Sequence, residues 1–177
     1  MDCFSSLEIQ KLLQAPAKNK RVSTWIKLIY SFGLSLPEIA NLKVTDINLT
    51  KQTIKIGGDF HRIRVLHIPK ALLPEIQKSI YGKKSEDYLF EGRKGKIHPR
   101  TIQKALEKFC CSLGICFSMR KLRNTLIYDL YKHGWDDKSI AFQLGLSSSR
   151  LIKQSLMFLA SNSTKPHPLD KILKKRV

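Results

Sequence analysis

The stretch "SMRKLRNTLIYDLYKHG", residues 118–134, decides how this chain is read. Arg120, Lys121 and Arg123 stand within four residues, and an apolar run at helical spacing follows at once. Ser118 suits an N-cap and Gly134 a stop, so a helix is expected from Ser118 to about His133. Arg120 and Arg123 lie three apart and share one face of that helix. They also stand at its positive end, where backbone N–H groups favour an anion. A phosphate-holding segment and a merely solvated helix start both fit these residues, and the rest of the chain has to separate them.

Charge is the strongest bulk signal. The 177 residues carry 32 Lys and Arg against 14 Asp and Glu, a formal charge of +18. So large an excess points to a polyanion, above all nucleic acid. A membrane surface fits less well, because the chain shows no long basic amphipathic helix with exposed aromatics. It shows no apolar run near the ~20 residues of a membrane span and no signal-peptide pattern at "MDCFSSLEIQ", so a cytoplasmic, nucleoid-associated protein is expected. Apolar residues make up 42%, enough for a core, and charged residues 26%. Cys3, Cys110, Cys111 and Cys116 match no common zinc spacing. They read as core or surface thiols, the last three as packing residues on and after the "KALEKF" helix. No metal and no cofactor is expected.

The periodicity predicts a mainly helical chain interrupted by one small sheet. Ser5 and Glu8 stand at capping-box spacing before "SLEIQKLLQ". "VSTWIKLIYSFG" places Trp25, Leu28, Ile29 and Phe32 on one face, with Gly33 as its end. "SLPEIANLKVTDINL" predicts a helix with Pro37 early and Glu38 near its positive end. "TIKI" and "IRVLHIP" flank "GGDFHR" as a hairpin. A helix started by Pro74, a short extended "DYLFEG", a basic loop and a helix from about Pro99 follow. Beyond Gly134, Asp136 or Asp137 caps "DDKSIAFQLGL", and "SSSRLIKQSLMFLA" predicts one more helical segment. Residues 161–177 hold five Lys and Arg against one Asp and read as a basic tail. Leu169, Ile172 and Leu173 at helical spacing suit docking on a partner. The class expected is α+β, mainly α, with a domain over residues 1–160.

In order and spacing, "YSFGLSLPEIANLKVTDINL", "RVLHIP", "YLF", "RTIQKALEKFCCSLGI" and "RKLRNTLIYDLYKHGWDDKSIAFQLGLSSS" resemble the catalytic domain of tyrosine recombinases, the phage integrase family. The resemblance runs from about Ser5 to Ser155 and leaves the family's N-terminal core-binding domain without a counterpart. It implies DNA strand cleavage and rejoining: a tyrosine attacks the phosphate, two arginines and a histidine hold its oxygens, a lysine protonates the leaving oxygen, and a further histidine or tryptophan supports the site. Such a transition state needs pre-placed cations and a nucleophile.

Mapped residue by residue, the family's first arginine falls on Ser35. Its lysine falls on Asp59 or His61, its first histidine on Arg120 and its second arginine on Arg123, the one position kept. The histidine of the family's "LGH" falls on Leu146, and the tyrosine on Ser155. Ser155 as a replacement nucleophile would lack an assembled base. Tyr128 and Tyr131, three apart after Arg123, suggest core packing or helix-face contacts.

These departures lead to the expectation of a DNA-binding relative that is not an enzyme, with a regulatory or accessory role in recombination or integration, such as control of a mobile element. The alternative is an active recombinase with an atypical site, or one completed by a partner subunit. A third reading is an interaction protein that keeps the fold and has lost DNA binding. Duplex DNA is the expected partner, contacted through Arg93, Lys94, Lys96, Arg100 and Lys104 together with Arg120, Lys121 and Arg123. A second copy, or an intact recombinase, is the expected protein partner through the tail.

Overall fold

Two serine–glutamate pairs start the first and third helices. In the computed structural model, which describes residues 2–17, 20–58, 61–93, 95–149 and 152, Ser5 caps α1 (Ser6–Gln14) with Glu8 closing the box. Ser35 and Glu38 do the same for α3 (Leu36–Asn41), with Pro37 in its first turn. Between them runs α2 (Lys20–Phe32), whose Trp25, Leu28, Ile29 and Phe32 are all buried. This helix is central: it packs against α1, α5 (Pro99–Ser112) and α6 (Met119–Lys132). Trp25 meets Phe90 edge to face, ring centroids 5.7 Å apart.

Gly33 ends α2 at φ +65°, as expected. A Cβ there would also stand 2.6 Å from Leu144 Cδ2, so the α2–α3 corner lies directly against the turn after α7 (Asp137–Gln143). That close approach brings two distant segments of the chain to one place.

The helix expected through "SLPEIANLKVTDINL" is much shorter. It stops at Asn41 and gives way to a 3₁₀ turn, Val44–Asp46, and to strand β1 (Ile47–Asn48). The reason is non-local. Val44 and Thr45 donate their N–H groups to Asp87 and Ser85 oxygens, Leu89 donates to Leu42, and Lys43 bridges to Tyr88. These bonds replace the i→i−4 ladder. The hairpin stands as expected, β2 (Thr53–Gly58) against β3 (His61–His67), and β1 extends it to three antiparallel strands in the order β1-β2-β3. A 3₁₀ turn, Lys70–Leu72, leads into α4 (Leu73–Ile80), with Pro74 in its first turn. The basic loop expected before α5 contains a tight hairpin of β4 (Glu91–Gly92) and β5 (Gly95–Lys96).

α6 begins after Ser118 and ends at the His133 cap, and Asp136 caps α7. The fold is α+β and mainly helical. Cys110 is buried, but Cys111 and Cys116 are exposed, so packing describes one of those three thiols. Tyr131 is exposed, while Tyr128 lies under the Lys132 ammonium. Asp59, Lys94, Ser155, the helical segment expected around it (Ser147, Ser148, Ser149 and Ile152 apart, of which the three serines are not helical) and the tail 161–177 lie outside the described residues. No helix among the described residues is long and apolar enough to cross a membrane.

Candidate nucleic-acid interface

The Ser118 hydroxyl accepts the Lys121 N–H at 3.2 Å and starts α6 where the sequence places it. From that start, Arg120 and Arg123 face a groove of about 440 Å³. Its walls are Ser35, Leu36 and Pro37 from the start of α3, and Leu144 and Leu146 from the turn after α7. Met119, Asn124 and Ile127 complete the α6 side. Four positions that the resemblance singles out, Ser35, Arg120, Arg123 and Leu146, are thus brought to one place from three separate segments.

Arg120 is exposed and Arg123 half-buried. Arg123 donates from Nη2 to the Leu144 carbonyl at 3.1 Å, which fixes its guanidinium against the groove. Burial pushes its pKa below the usual arginine value; Glu38 opposes that shift and Arg64 adds to it. An arginine remains charged at any physiological pH all the same. Ser35 carries no charge into the groove. Its hydroxyl lies 2.9 Å from Glu38 Oε2, and its backbone N–H donates to the same oxygen at 2.7 Å. Leu146 offers only an apolar wall, as its side chain dictates.

Behind the groove lies a residue that the sequence reading missed. Arg64, 2% exposed, donates to Glu38 Oε1 at 2.7 Å and from Nε to the Gln143 carbonyl at 3.0 Å. A Cβ on Gly145 would meet its Nη1 at 2.4 Å, so the turn after α7 rests on the guanidinium with its backbone. Gly145 holds φ +67° there, which any side chain would strain. The carbonyls of residues 143 and 144, at the negative end of α7, are thereby each taken by an arginine. Burial acts to raise the Glu38 pKa, but the Arg64 and Ser35 hydrogen bonds outweigh it and hold the carboxyl below its usual range. Glu38 pairs directly with Arg64 and acts on Arg123 only through space, so two guanidiniums stand near one buried carboxylate and positive charge is in excess beside the groove. The signal in the sequence was parity: Arg64 alternates in register with Leu66 and Ile68, all three buried, while Ile63 and Val65 face solvent.

The other candidates are dispersed. Arg93 and Lys96 are exposed on the β4–β5 hairpin, and Arg100 and Lys104 are exposed one turn apart on α5. Lys108, also exposed, continues that row and was missed. Lys121 is half-buried against Asp2, Glu8 and the Phe4 ring. His61 lies on β3.

With this geometry the comparisons agree. The chain belongs to the Phage integrase family, whose profile matches residues 3–155. A tyrosine recombinase of Pseudothermotoga lettingae is 33% identical over 146 residues, 80% of this chain and 51% of that protein. Tyrosine recombinase XerA of Pyrococcus furiosus is 33% identical over 149 residues, 80% of this chain and 52% of that protein. The chain therefore spans about half the length of the curated relatives it matches. The crystal structure of XerA recombinase superposes with a TM-score of 0.76 at 19% identity, over 99% of this chain and 62% of that one. A lambda integrase dimer bound to a COC′ core site superposes with a TM-score of 0.66 at 13% identity, over 95% of this chain and 51% of that one. These two likenesses establish the fold.

The expectation that the chain is not an enzyme is overturned by these relatives, which are named tyrosine recombinases, a class of enzymes. Mapping positions along a sequence scores only the side chain expected at each place, and it has no place for a charge such as Arg64, which the fold brings within electrostatic reach of Arg123.

Proposed function

We propose that this chain binds duplex DNA and works in DNA recombination, holding a backbone phosphate in the groove with Arg120 and Arg123. The observation that carries the reading is the Arg123 guanidinium. It is anchored on the Leu144 carbonyl, faces the groove, and feels the charge of Arg64, a buried arginine that takes the Glu38 carboxylate as its own partner. Preorganised donors of this kind suit a phosphate, whose charge they meet without reorganising. The net charge of +18 and the exposed row Arg100, Lys104 and Lys108 supply a wider field for the duplex. Relatives named tyrosine recombinase and a structural neighbour solved on its core-site DNA support the same reading.

Within that function, Ser35 and Leu146 favour a shared site. Ser35 is committed to capping α3 and Leu146 is apolar, so two sides of the phosphate await groups from elsewhere. In this reading an intact recombinase subunit supplies them, and the present chain contributes the phosphate grip.

Fluorescence anisotropy on duplex DNA tests the grip. Affinity should fall steeply with salt, and Arg123→Ala should lower the log–log slope by about 0.9, the step for one neutralised phosphate. A flat salt response in the wild type sinks the proposal. Incubation of a nicked duplex with this chain and an intact family recombinase tests the sharing. The yield of covalent protein–DNA adduct should drop with Arg123→Ala; a yield indifferent to Arg123 argues against a shared site.

A further inference from the structure

α6 has a second face. Asn124 Nδ2 donates to the Asp2 carbonyl at 3.2 Å, and the Phe4 N–H donates to Thr125 Oγ1 at 2.9 Å. Thr125 Oγ1 in turn donates to the Lys121 carbonyl at 2.8 Å. The Lys121 ammonium stands 4.6 Å from the Phe4 ring centre, 3.6 Å from Asp2 Oδ1 and 3.9 Å from Glu8 Oε1. Its side chain is only 19% exposed. Phe4 is buried, and Glu8 is itself held in the α1 capping box. Residues 2–8 thus form a strap fastened along one face of α6 through residues 121, 124 and 125. Arg120 and Arg123 are interleaved with those anchors on the same two turns, and Asn124 belongs to both faces.

We propose that Lys121 is a positioning residue rather than a DNA contact: it latches the strap of residues 2–8 onto α6 and so sets the placement of Arg120 and Arg123 in the groove. This rests on the reading of the groove as the phosphate grip. Among the three cations of "RKLR", the middle one spends its charge inward. The buried Phe4 ring takes the ammonium on its face, and Glu8 and the exposed Asp2 add weak surface pairs, so the three contacts together rather than any one of them turn Lys121 toward the strap. A helix fastened at three points on one side has little freedom to rotate the arginines on the other.

Salt-slope measurements separate positioning from contact, because each phosphate contact adds about 0.9 to the log–log slope. Lys121→Met, which keeps the apolar stem, should weaken DNA binding about fivefold with an unchanged slope, and Lys121→Arg should restore it. Thr125→Val alters no charge and removes the acceptor of the Phe4 N–H; it should weaken binding in the same sense. Amide exchange at Phe4 should quicken in both weakened variants. A slope reduced by about 0.9 in Lys121→Met, with Thr125→Val binding like the wild type, would make Lys121 a DNA contact and overturn the proposal. Unchanged affinity in both variants, with faster exchange at Phe4, would leave the strap a structural feature alone and overturn it too. A wild type that shows no salt-dependent binding refutes the grip itself, and the exchange data still report whether Lys121 fastens the strap.

Discussion

The starts of α1 and α3 carry the same motif and the same geometry. In each, the serine hydroxyl accepts the glutamate N–H, at 3.3 Å for Ser5 and 3.4 Å for Ser35. In each, the glutamate Oε2 accepts the serine N–H at 2.7 Å. They part at the other carboxylate oxygen. That of Glu8 lies near the surface, 3.9 Å from Lys121. That of Glu38 is buried on Arg64 at 2.7 Å, with side-chain exposures of 7% and 1%. A local motif thus sets a helix start in both places, but only burial turns one of them into a support behind the groove that Arg120 and Arg123 face. Removing a partner from a buried pair strands a charge in low dielectric, whereas a surface pair is worth little.

The largest expected effect breaks the buried pair. Arg64→Met should cost about 3–5 kcal/mol in urea unfolding, because Glu38 is left without its cation. Glu8→Gln should cost less than about 0.5 kcal/mol. Equal losses would refute the contrast. Arg64→Met combined with Glu38→Gln should cost clearly less than the two single changes added together, since neither then leaves a charge behind.

A third carboxylate sharpens the comparison by reversing its sign. Asp129 is buried and takes a hydrogen bond from the Tyr30 hydroxyl, but among the described residues its Oδ1 has no hydrogen-bond partner. Burial raises its pKa from 3.8 to about 6, against the lowering effect of Tyr30, His133 and Lys132. An acid with a raised folded-state pKa stabilises most below its unfolded value, and that contribution is lost as pH rises through the folded one. Wild type should therefore lose about 2–3 kcal/mol relative to Asp129→Asn between about pH 4 and pH 7. Glu38, held low by Arg64, contributes in the opposite direction: its stabilisation is present above the ordinary carboxylate range and is lost in acid. Unfolding curves for the wild type and for Asp129→Asn at several pH values check the sign; a gap that does not change with pH refutes it.

The smallest effects compare the caps themselves. Ser5→Ala should cost about 1 kcal/mol, the usual value for a lost N-cap. Ser35→Ala should cost about 2 kcal/mol, because Glu38 also loses a donor where water does not replace it. If thermal unfolding shifts are the same for both, burial adds nothing to the α3 cap.

Much of this architecture was legible in the residues. The Ser5–Glu8 capping box, the apolar face of α2, the β2–β3 hairpin, the limits of α6 and the Asp136 cap all follow from contacts three or four residues apart or from strand alternation, and the Ser35–Glu38 box, which the sequence reading passed over, has the same spacing. So did the shared face of Arg120 and Arg123, a matter of helical pitch. What local pattern could not supply lies where distant segments bond. α3 ends early because residues 85–89 pair with residues 42–45. Arg64 reaches Glu38 across 26 positions and the Gln143 carbonyl across 79. Lys121, a surface cation by its sequence, turns inward because the strap supplies acids and a ring from more than a hundred positions away. By itself the sequence determined which helices form and which cations stand together. Only the tertiary structure decided which charges are buried and paired and which face the groove, because a charge's worth depends on the dielectric and the partners around it, and here those partners come from elsewhere in the chain.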